Sequence, residues 1–342
     1  MTSLNRRQFN RSLLALPAAA LVGTGLGSLA PGTASAAPAD WNTQFLAGTL
    51  GSNIMRQTRY GGGSWNARWN EIAPDPIHKA LYSISAAGIS NNLHIVACIG
   101  EEGPKHAVRN TADGSSTAFS PIPSQSGPTG IVLVAAASVG TQLHVFASIR
   151  DSGDLYHTVR NGDGTWWASW RLLRSFASSI DHIATTKVGT TIDTAVVSNG
   201  EILHAIRSSG GTWTGWGNIE GAAGEIGEVN EVTLAGIGSS LHVVAMANGY
   251  GLYHAIRKVD ATWQRFQEPA VLEGKIPFSA SAANAGGELQ LGILELVDGK
   301  QVASHTIRRA DGTWQPVRFI STAGLTETDD DLANLVLAAT SR

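Results

Sequence analysis

An all-β ring of six four-stranded blades is the fold this sequence predicts, and three observations predict it. One phrase recurs: "LYHTVRNGDGTW" (155–166), "ILHAIRSSGGTW" (202–213), "LYHAIRKVDATW" (252–263) and "ASHTIRRADGTW" (303–314). Its arginine falls at Arg59, Arg109, Arg160, Arg207, Arg257 and Arg308, at intervals of 50, 51, 47, 50 and 51 residues, a period of propeller blades rather than helical solenoids. Between arginines, apolar residues alternate and Gly, Asp, Ser and Asn interrupt the chain about every 8 to 12 residues, the spacing of short strands.

The first segment stands outside the repeats. Residues 1–36 hold a basic start, "NRRQFN" with Arg6 and Arg7, then the apolar run "LLALPAAALVGTGLGSLA", then "ASA" at 34–36. That order predicts a twin-arginine-type signal peptide cleaved after about Ala36, leaving 37–342 as a single secreted propeller domain. The alternative is a membrane-anchoring helix, but Pro17 and several glycines interrupt the run, and no membrane span is expected after cleavage.

Each period then supplies four strands. The innermost is small and apolar, as in "IVLVAAAS" (131–138) and "VTLAGIG" (232–238), which suits the crowded axis of a ring. The second reads "LHIVACI" (93–99), "LHVFASI" (143–149) and "LHVVAMA" (241–247), and the third carries the His and Arg of the recurring phrase. The fourth is expected to begin at the Trp, as in "SWNARWNEI" (64–72), "TWWASWRLL" (165–173) and "TWTGWGNI" (212–219). Asp-Gly, Gly-Gly and related pairs between third and fourth strands mark tight hairpins, whose turns need residues tolerant of positive φ.

The chain ends complete the count. The first repeat opens with "TQFLAGTL" and lacks an innermost strand, whereas the unassigned tail "DLANLVLAAT" (331–340) has the composition of one. A C-terminal strand at about 331–340 that joins three N-terminal strands in one blade uses every segment once and leaves no open edge between the ends.

Composition narrows the function. A formal net charge of -3 lacks the basic footprint of a nucleic-acid binder. With one cysteine no intramolecular disulfide exists, and Cys98, inside an apolar strand, is read as an inert buried thiol. Gly-x-Ser-x-Gly, His-Glu-x-x-His and P-loop patterns are not evident, whereas catalysis needs a constellation that occurs once. The acidic run "TETDDD" (326–331) is read as a solvated turn, with a calcium site as the alternative. A non-enzymatic protein without cofactor or metal is the expectation, the enzyme alternative being a glycosidase with dispersed carboxylates.

Two residue series remain. In an extended strand His157 and Arg160 point to opposite faces. His106, His157, His204, His254 and His305 would lie in different blades, which argues against a metal site and for a buried imidazole bonded to the same backbone carbonyl in each blade; His94, His144 and His242 are read likewise. The arginines are the better binding candidates. Arg59, Arg160, Arg207, Arg257 and Arg308, with Trp65, Trp166, Trp213, Trp263 and Trp314 at the turns beyond, offer forked donors beside aromatic platforms, the parts a sugar site needs. The alternative is that each Arg stacks on a Trp and ties blade to blade. The second repeat, "HAVRNTADGSSTAFS" (106–120), has an insertion and Ser116 where Trp is expected, so a site there should be weak or empty.

On "HAIR…GTW" and the six-fold count, the whole mature chain resembles secreted propeller lectins, in particular the six-bladed fucose-binding and tachylectin-like groups. The resemblance implies sugars bound between adjacent blades. It departs from the fucose-binding group, which pairs its Arg with a Glu from a neighbouring strand, because no acidic residue recurs in register after the Trp. The leader and the Ala/Gly-rich sequence also resemble secreted actinobacterial propellers, some of which are lectin subunits of antibacterial particles. A multivalent lectin for cell-surface glycans is therefore the expected function, and a protein-interaction subunit of a secreted assembly the alternative. The connectors "SPIPSQSGPTG" (120–130) and "EGAAGEIGEVNE" (220–231) are where a protein partner would dock.

Overall fold

The computed structural model describes residues 41–49, 53–72, 80–123, 127–298, 300–325 and 332–341. The predicted leader and the acidic run 326–331 lie outside these residues. Six four-stranded antiparallel sheets form the blades. From axis to rim, blade 1 is Leu332–Ser341, Trp41–Thr49, Ile54–Tyr60 and Asn70–Glu71, and blade 2 is Leu81–Ile89, Asn92–Ile99, Pro104–Asn110 and Ser120–Pro121. Blade 3 is Ile131–Val139, Gln142–Ile149, Asp154–Arg160 and Arg171–Ser175; blade 4 is Ile180–Val188, Thr191–Ser198, Glu201–Arg207 and Gly217–Asn218. Blade 5 is Val229–Ile237, Ser240–Ala247, Gly251–Arg257 and Trp263–Gln267; blade 6 is Pro277–Ala285, Glu288–Val297, Lys300–Arg308 and Arg318–Phe319.

The C-terminal strand closes the ring as the sequence predicts. It pairs along Trp41–Thr49, and it touches the innermost strands of blades 6 and 2 on its two sides. Leu337 donates its N–H to Ser281 Oγ of blade 6 at 2.9 Å, and Ser341 donates to the Ser90 carbonyl of blade 2 at 2.8 Å.

An innermost strand would leave a row of backbone groups unpaired toward the axis, which is costly unless other acceptors reach them. Side chains of the preceding blade do so. Ser83 and Ser85 accept from Val134 and Ala136, Thr186 from Gly236, Glu231 from Ala280 and Thr233 from Ala282, at 2.8–3.2 Å. The spacing between blades is correspondingly tight. A Cβ on Gly88 would fall 1.7 Å from the Ala339 carbonyl oxygen, and one on Gly236 would fall 1.8 Å from that of Lys187.

Six apolar clusters fill the spaces between blades, each drawing on two neighbouring sheets. Cys98 lies in one of them with no exposure, and burial pushes its thiol pKa far up, which makes it inert as expected. In the connector 220–231 Asn218 caps the short helix Ile219–Ala223 by accepting from Gly221 at 3.0 Å.

The outermost strands differ from expectation. Only in blade 5 does the strand start at its Trp; Trp65, Trp166, Trp213 and Trp314 each make a single bridge opposite Arg59, Arg160, Arg207 and Arg308, and Ser116 does so opposite Arg109. The chain then leaves the ladder for a few residues. In blades 1 and 3 that detour turns a second indole, Trp69 or Trp170, inward to burial.

Candidate functional site

Each hairpin between third and fourth strands is built from its turn. In blade 3, Asn161 donates to the Thr165 carbonyl at 2.7 Å and accepts from Gly164 at 2.9 Å, while Asp163 Oδ1 accepts from the Thr165 N–H and hydroxyl at 2.9 and 2.7 Å. The same aspartate-to-hydroxyl clasp recurs at Asp113, Asp260 and Asp311, and these bonds hold the four exposed carboxyls below the usual range. Gly164 has φ +91°, and a Cβ there would stand 3.1 Å from Arg160 Nη2, so the guanidinium lies against its own turn. Arg207 and Arg308 lie on Gly211 and Gly312 in the same way, at 3.1 and 3.2 Å. Blade 5 has Ala261 at this place, with φ +67°.

The bridge puts Arg and Trp beside each other, and the two-residue period sends the third-strand His to the opposite face. Trp166 packs into the cluster of Val96 and Cys98 in blade 2, whereas His157 meets Trp213 of blade 4 edge-on at 6.3 Å. The arrangement repeats around the ring. His106 faces Trp166, His204 faces Trp263, His254 faces Trp314, and His305 faces Trp65 across the closure, all edge-on at 5.3–6.3 Å. Every such cleft therefore joins a His of one blade to the Arg and Trp of the next. The predicted residues are brought together in that sense: each Arg–Trp pair shares one wall, and no two pairs share a cleft.

The imidazoles correct one expectation. They bond not to a repeated carbonyl but to a side chain diagonally across on the second strand. His94 Nδ1 lies 3.0 Å from His106 Nε2, His144 Nδ1 3.0 Å from His157 Nε2, and His242 Nδ1 3.1 Å from His254 Nε2. Asp193 takes the partner role for His204 at 2.9 Å and Gln290 for His305 at 3.0 Å. In blade 1 Arg56 replaces the imidazole and donates to Gln44 Oε1 at 3.1 Å and Thr58 Oγ1 at 2.6 Å. Burial, with the guanidinium of the next blade second, lowers the pKa of His94, His144 and His242 to about 4, and burial, then His94, then Arg160 lowers that of His106 to about 3. These pairs are neutral at pH 7, so one ring of each donates and the other accepts.

The stacking alternative for Arg fails. Among the described residues no cation–π contact joins a repeat Arg to its repeat Trp; Arg59 lies over Trp41 at 5.6 Å, and Arg171, outside the repeat series, lies over Trp167 at 4.3 Å. The guanidiniums are half-buried with donors to spare: Arg59 Nη1 and Arg109 Nε are buried without a partner. In the second repeat Ser116 Oγ accepts from Arg109 at 3.0 Å, occupying the donor that faces the lost indole.

Two of the clefts are concavities of similar size. The one between blades 2 and 3, about 380 Å³, is lined by Asn92, His94, Val108, Arg160, Asp163 and Gly164 among others, and neither Trp166 nor His106 belongs to its lining. The one between blades 3 and 4, about 420 Å³, is lined by His157, Trp167, Arg171, Arg207, Gly210 and Trp213 among others. Sequence reasoning missed Trp167 and Arg171 here, although the doubled Trp at 166–167 occurs in this repeat alone. It also missed Glu288, whose charge reaches Arg59 across the closure between blades 6 and 1.

No protein-family model and no curated protein matches the chain. Solved structures match it over most of its length. A mutant of the Aleuria aurantia lectin in complex with α-methyl-L-fucoside is 13% identical over 85% of this chain and 95% of that one, with a TM-score of 0.58. A lectin from Burkholderia pseudomallei is 19% identical over 85% and 83%, with a TM-score of 0.56. TolB from Acinetobacter baumannii is 12% identical over 87% and 66%, with a TM-score of 0.54. What this likeness shows is the shared fold, a six-bladed β-propeller, and the function has to be argued from the clefts themselves.

Proposed function

We propose that this chain is a secreted, non-enzymatic carbohydrate-binding protein whose sites are the clefts between successive blades. One observation carries the reading: in five of the six blades, all but blade 2, the Arg and Trp converge with the buried imidazole of the preceding blade. Where an indole lines the cleft, as Trp213 does between blades 3 and 4, it suits the apolar side of a pyranose; the guanidinium offers forked donors to hydroxyls, and the neutral imidazole wall excludes water without adding charge. Several such sites on one rigid ring give avidity for a glycan-coated surface although each is weak. Similarity to lectins, one solved with a fucoside, agrees with this reading. An acidic partner for the arginine exists in the cleft of Arg59 and Glu288 but not in register elsewhere, so the sites differ and fucose is not assigned to all of them. The leader would carry the folded domain out of the cell.

A glycan-array screen of the purified protein, followed by titration calorimetry on each hit, tests this. The expected result is binding with a stoichiometry above one, reduced by one site in Arg160→Ala and by one in Arg207→Ala, with unchanged melting. Absence of any glycan binding, or unaltered stoichiometry in both variants, overturns the proposal and turns the search to a secreted protein partner.

A further inference from the structure

We infer that the cleft between blades 3 and 4 selects saccharides that carry an anionic group, while its neighbour between blades 2 and 3 takes neutral ones. This rests on the carbohydrate-binding reading and deepens it. The two clefts are close in size and built from the same hairpins, yet their linings differ in charge. Arg160 and Asp163 line the first, one cation beside one carboxylate. Arg171 and Arg207 line the second, and none of its lining residues is acidic.

Two local changes produce the difference. Four hairpins carry an aspartate just before the positive-φ turn residue, at Asp113, Asp163, Asp260 and Asp311; blade 4 has Gly210 there, and Gly210 lines the cleft. Blade 3 also extends its outermost strand to five residues, Arg171–Ser175, where blades 1, 2, 4 and 6 have two. That extension sets Arg171 opposite His157 in register, with its guanidinium 4.3 Å over Trp167, whose ring stands 5.2 Å from the imidazole. A guanidinium laid on an indole keeps its charge and its edge donors while losing side-chain freedom.

No carboxylate lines this cleft to compensate Arg207. Glu288, Asp113 and Asp311 lie within electrostatic reach of Arg59, Arg109 and Arg308, whereas Arg207 is perturbed by burial alone. His157 feels both Arg171 and Arg207 and stays neutral. Two indoles, Trp167 and Trp213, and two guanidiniums with no carboxylate among them thus line one concavity. A pyranose bearing a carboxylate or a sulfate ester meets both requirements, because its ring stacks and its anion takes charge-assisted forked bonds.

The test is calorimetric titration of the purified protein with glucuronic acid, N-acetylneuraminic acid, glucose 6-sulfate and galactose 6-sulfate, each against neutral glucose and galactose. One site per chain is expected to prefer an acidic member of the panel by about ten- to hundredfold, the worth of a charge-assisted bond. The preference should weaken as salt rises. Carboxylates and sulfates are separated by which members bind. Arg171→Gln should abolish the preference, and so should Gly210→Asp. The latter restores the aspartate of the other hairpins at a position where a new Cβ meets only Ser208 Oγ, at 3.7 Å, so the fold accommodates it. Equal binding of acidic and neutral sugars overturns the inference and leaves the lectin reading standing. An acidic preference that survives both variants also overturns it, since the site then lies elsewhere. Binding of no sugar at all removes both readings.

Discussion

Mild acid should unfold this propeller, because its imidazole pairs are buried and uncharged. In the folded protein burial first, and then Arg160, Arg207 and Arg308 of the following blades, hold His94, His144 and His242 at about 4, while burial, His94 and Arg160 in that order hold His106 at about 3. In the unfolded chain the same groups titrate near 6.5. Between those values the unfolded state binds protons that the folded state refuses, so stability falls as pH falls from 6.5 toward 4 and is independent of these groups above 6.5. At pH 5 each such imidazole removes about 2 kcal/mol, from a slope of about 1.4 kcal/mol per pH unit. Counting a single proton for each of the three His–His pairs gives a loss of about 6 kcal/mol, comparable with the whole stability of a typical domain, about 5–15 kcal/mol. The assay is urea unfolding followed by tryptophan fluorescence at pH 7.5, 6.5, 5.5 and 5.0, with histidine ring shifts read by NMR over the same range. The midpoint should hold between 7.5 and 6.5 and then drop steeply. A midpoint that stays level down to pH 5, or imidazole resonances that titrate near 6.5 in the folded protein, would refute the reasoning.

Other perturbations test the frame itself. Deleting 332–341 removes the strand that pairs along Trp41–Thr49, and the product should elute as aggregate in size-exclusion chromatography because a long buried edge is laid open. Gly88→Ala and Gly236→Ala each drive a Cβ into a neighbouring blade's backbone, which cannot rotate away; each should lower stability by about 1–3 kcal/mol or more in urea titration. Ala261→Gly should stabilise by about 1 kcal/mol, since it relieves an L-residue at φ +67°, and Gly164→Ala should cost about as much while displacing Arg160; thermal melts of the two variants should move in opposite directions.

The arginine spacing made six blades legible, and a first repeat without an innermost strand made the closing strand legible. The opposed faces of His157 and Arg160 followed from the period of a strand alone. The composition of a cleft did not, because it depends on which blade each face meets. His106 and Trp166 are sixty residues apart and come together only once the ring fixes that every His looks forward and every Trp looks back. The imidazole partner was nearer to hand. His94 and His106 stand on adjacent strands of one hairpin, two positions off register, where diagonal side chains touch. Assigning a backbone carbonyl overlooked that the second strand of each blade carries a polar residue in the same place: Gln44, His94, His144, Asp193, His242 and Gln290. The outermost strands misled for another reason: after the single bridge at the Trp or Ser the chain leaves the ladder in blades 1, 2, 3, 4 and 6, and strand composition alone does not mark where pairing resumes.

Stability and site chemistry are carried by different parts of each blade, and this is what lets the clefts diverge. The second strands are almost wholly buried and so are the imidazole pairs, so substitutions there strike packing and unpaired polar groups at once. The positions that distinguish one cleft from the next are half-buried or exposed: Asp163 against Gly210, Trp166 against Ser116, and Arg171 at the rim of blade 3. Substitutions at such positions cost little in folding. A ring of near-copies can therefore hold a neutral cleft, a cationic one and a degenerate one on a single frame. If each cleft takes a different sugar, the ring reads a mixed glycan surface through simultaneous contacts, and its selectivity resides in the combination of weak sites rather than in any one of them.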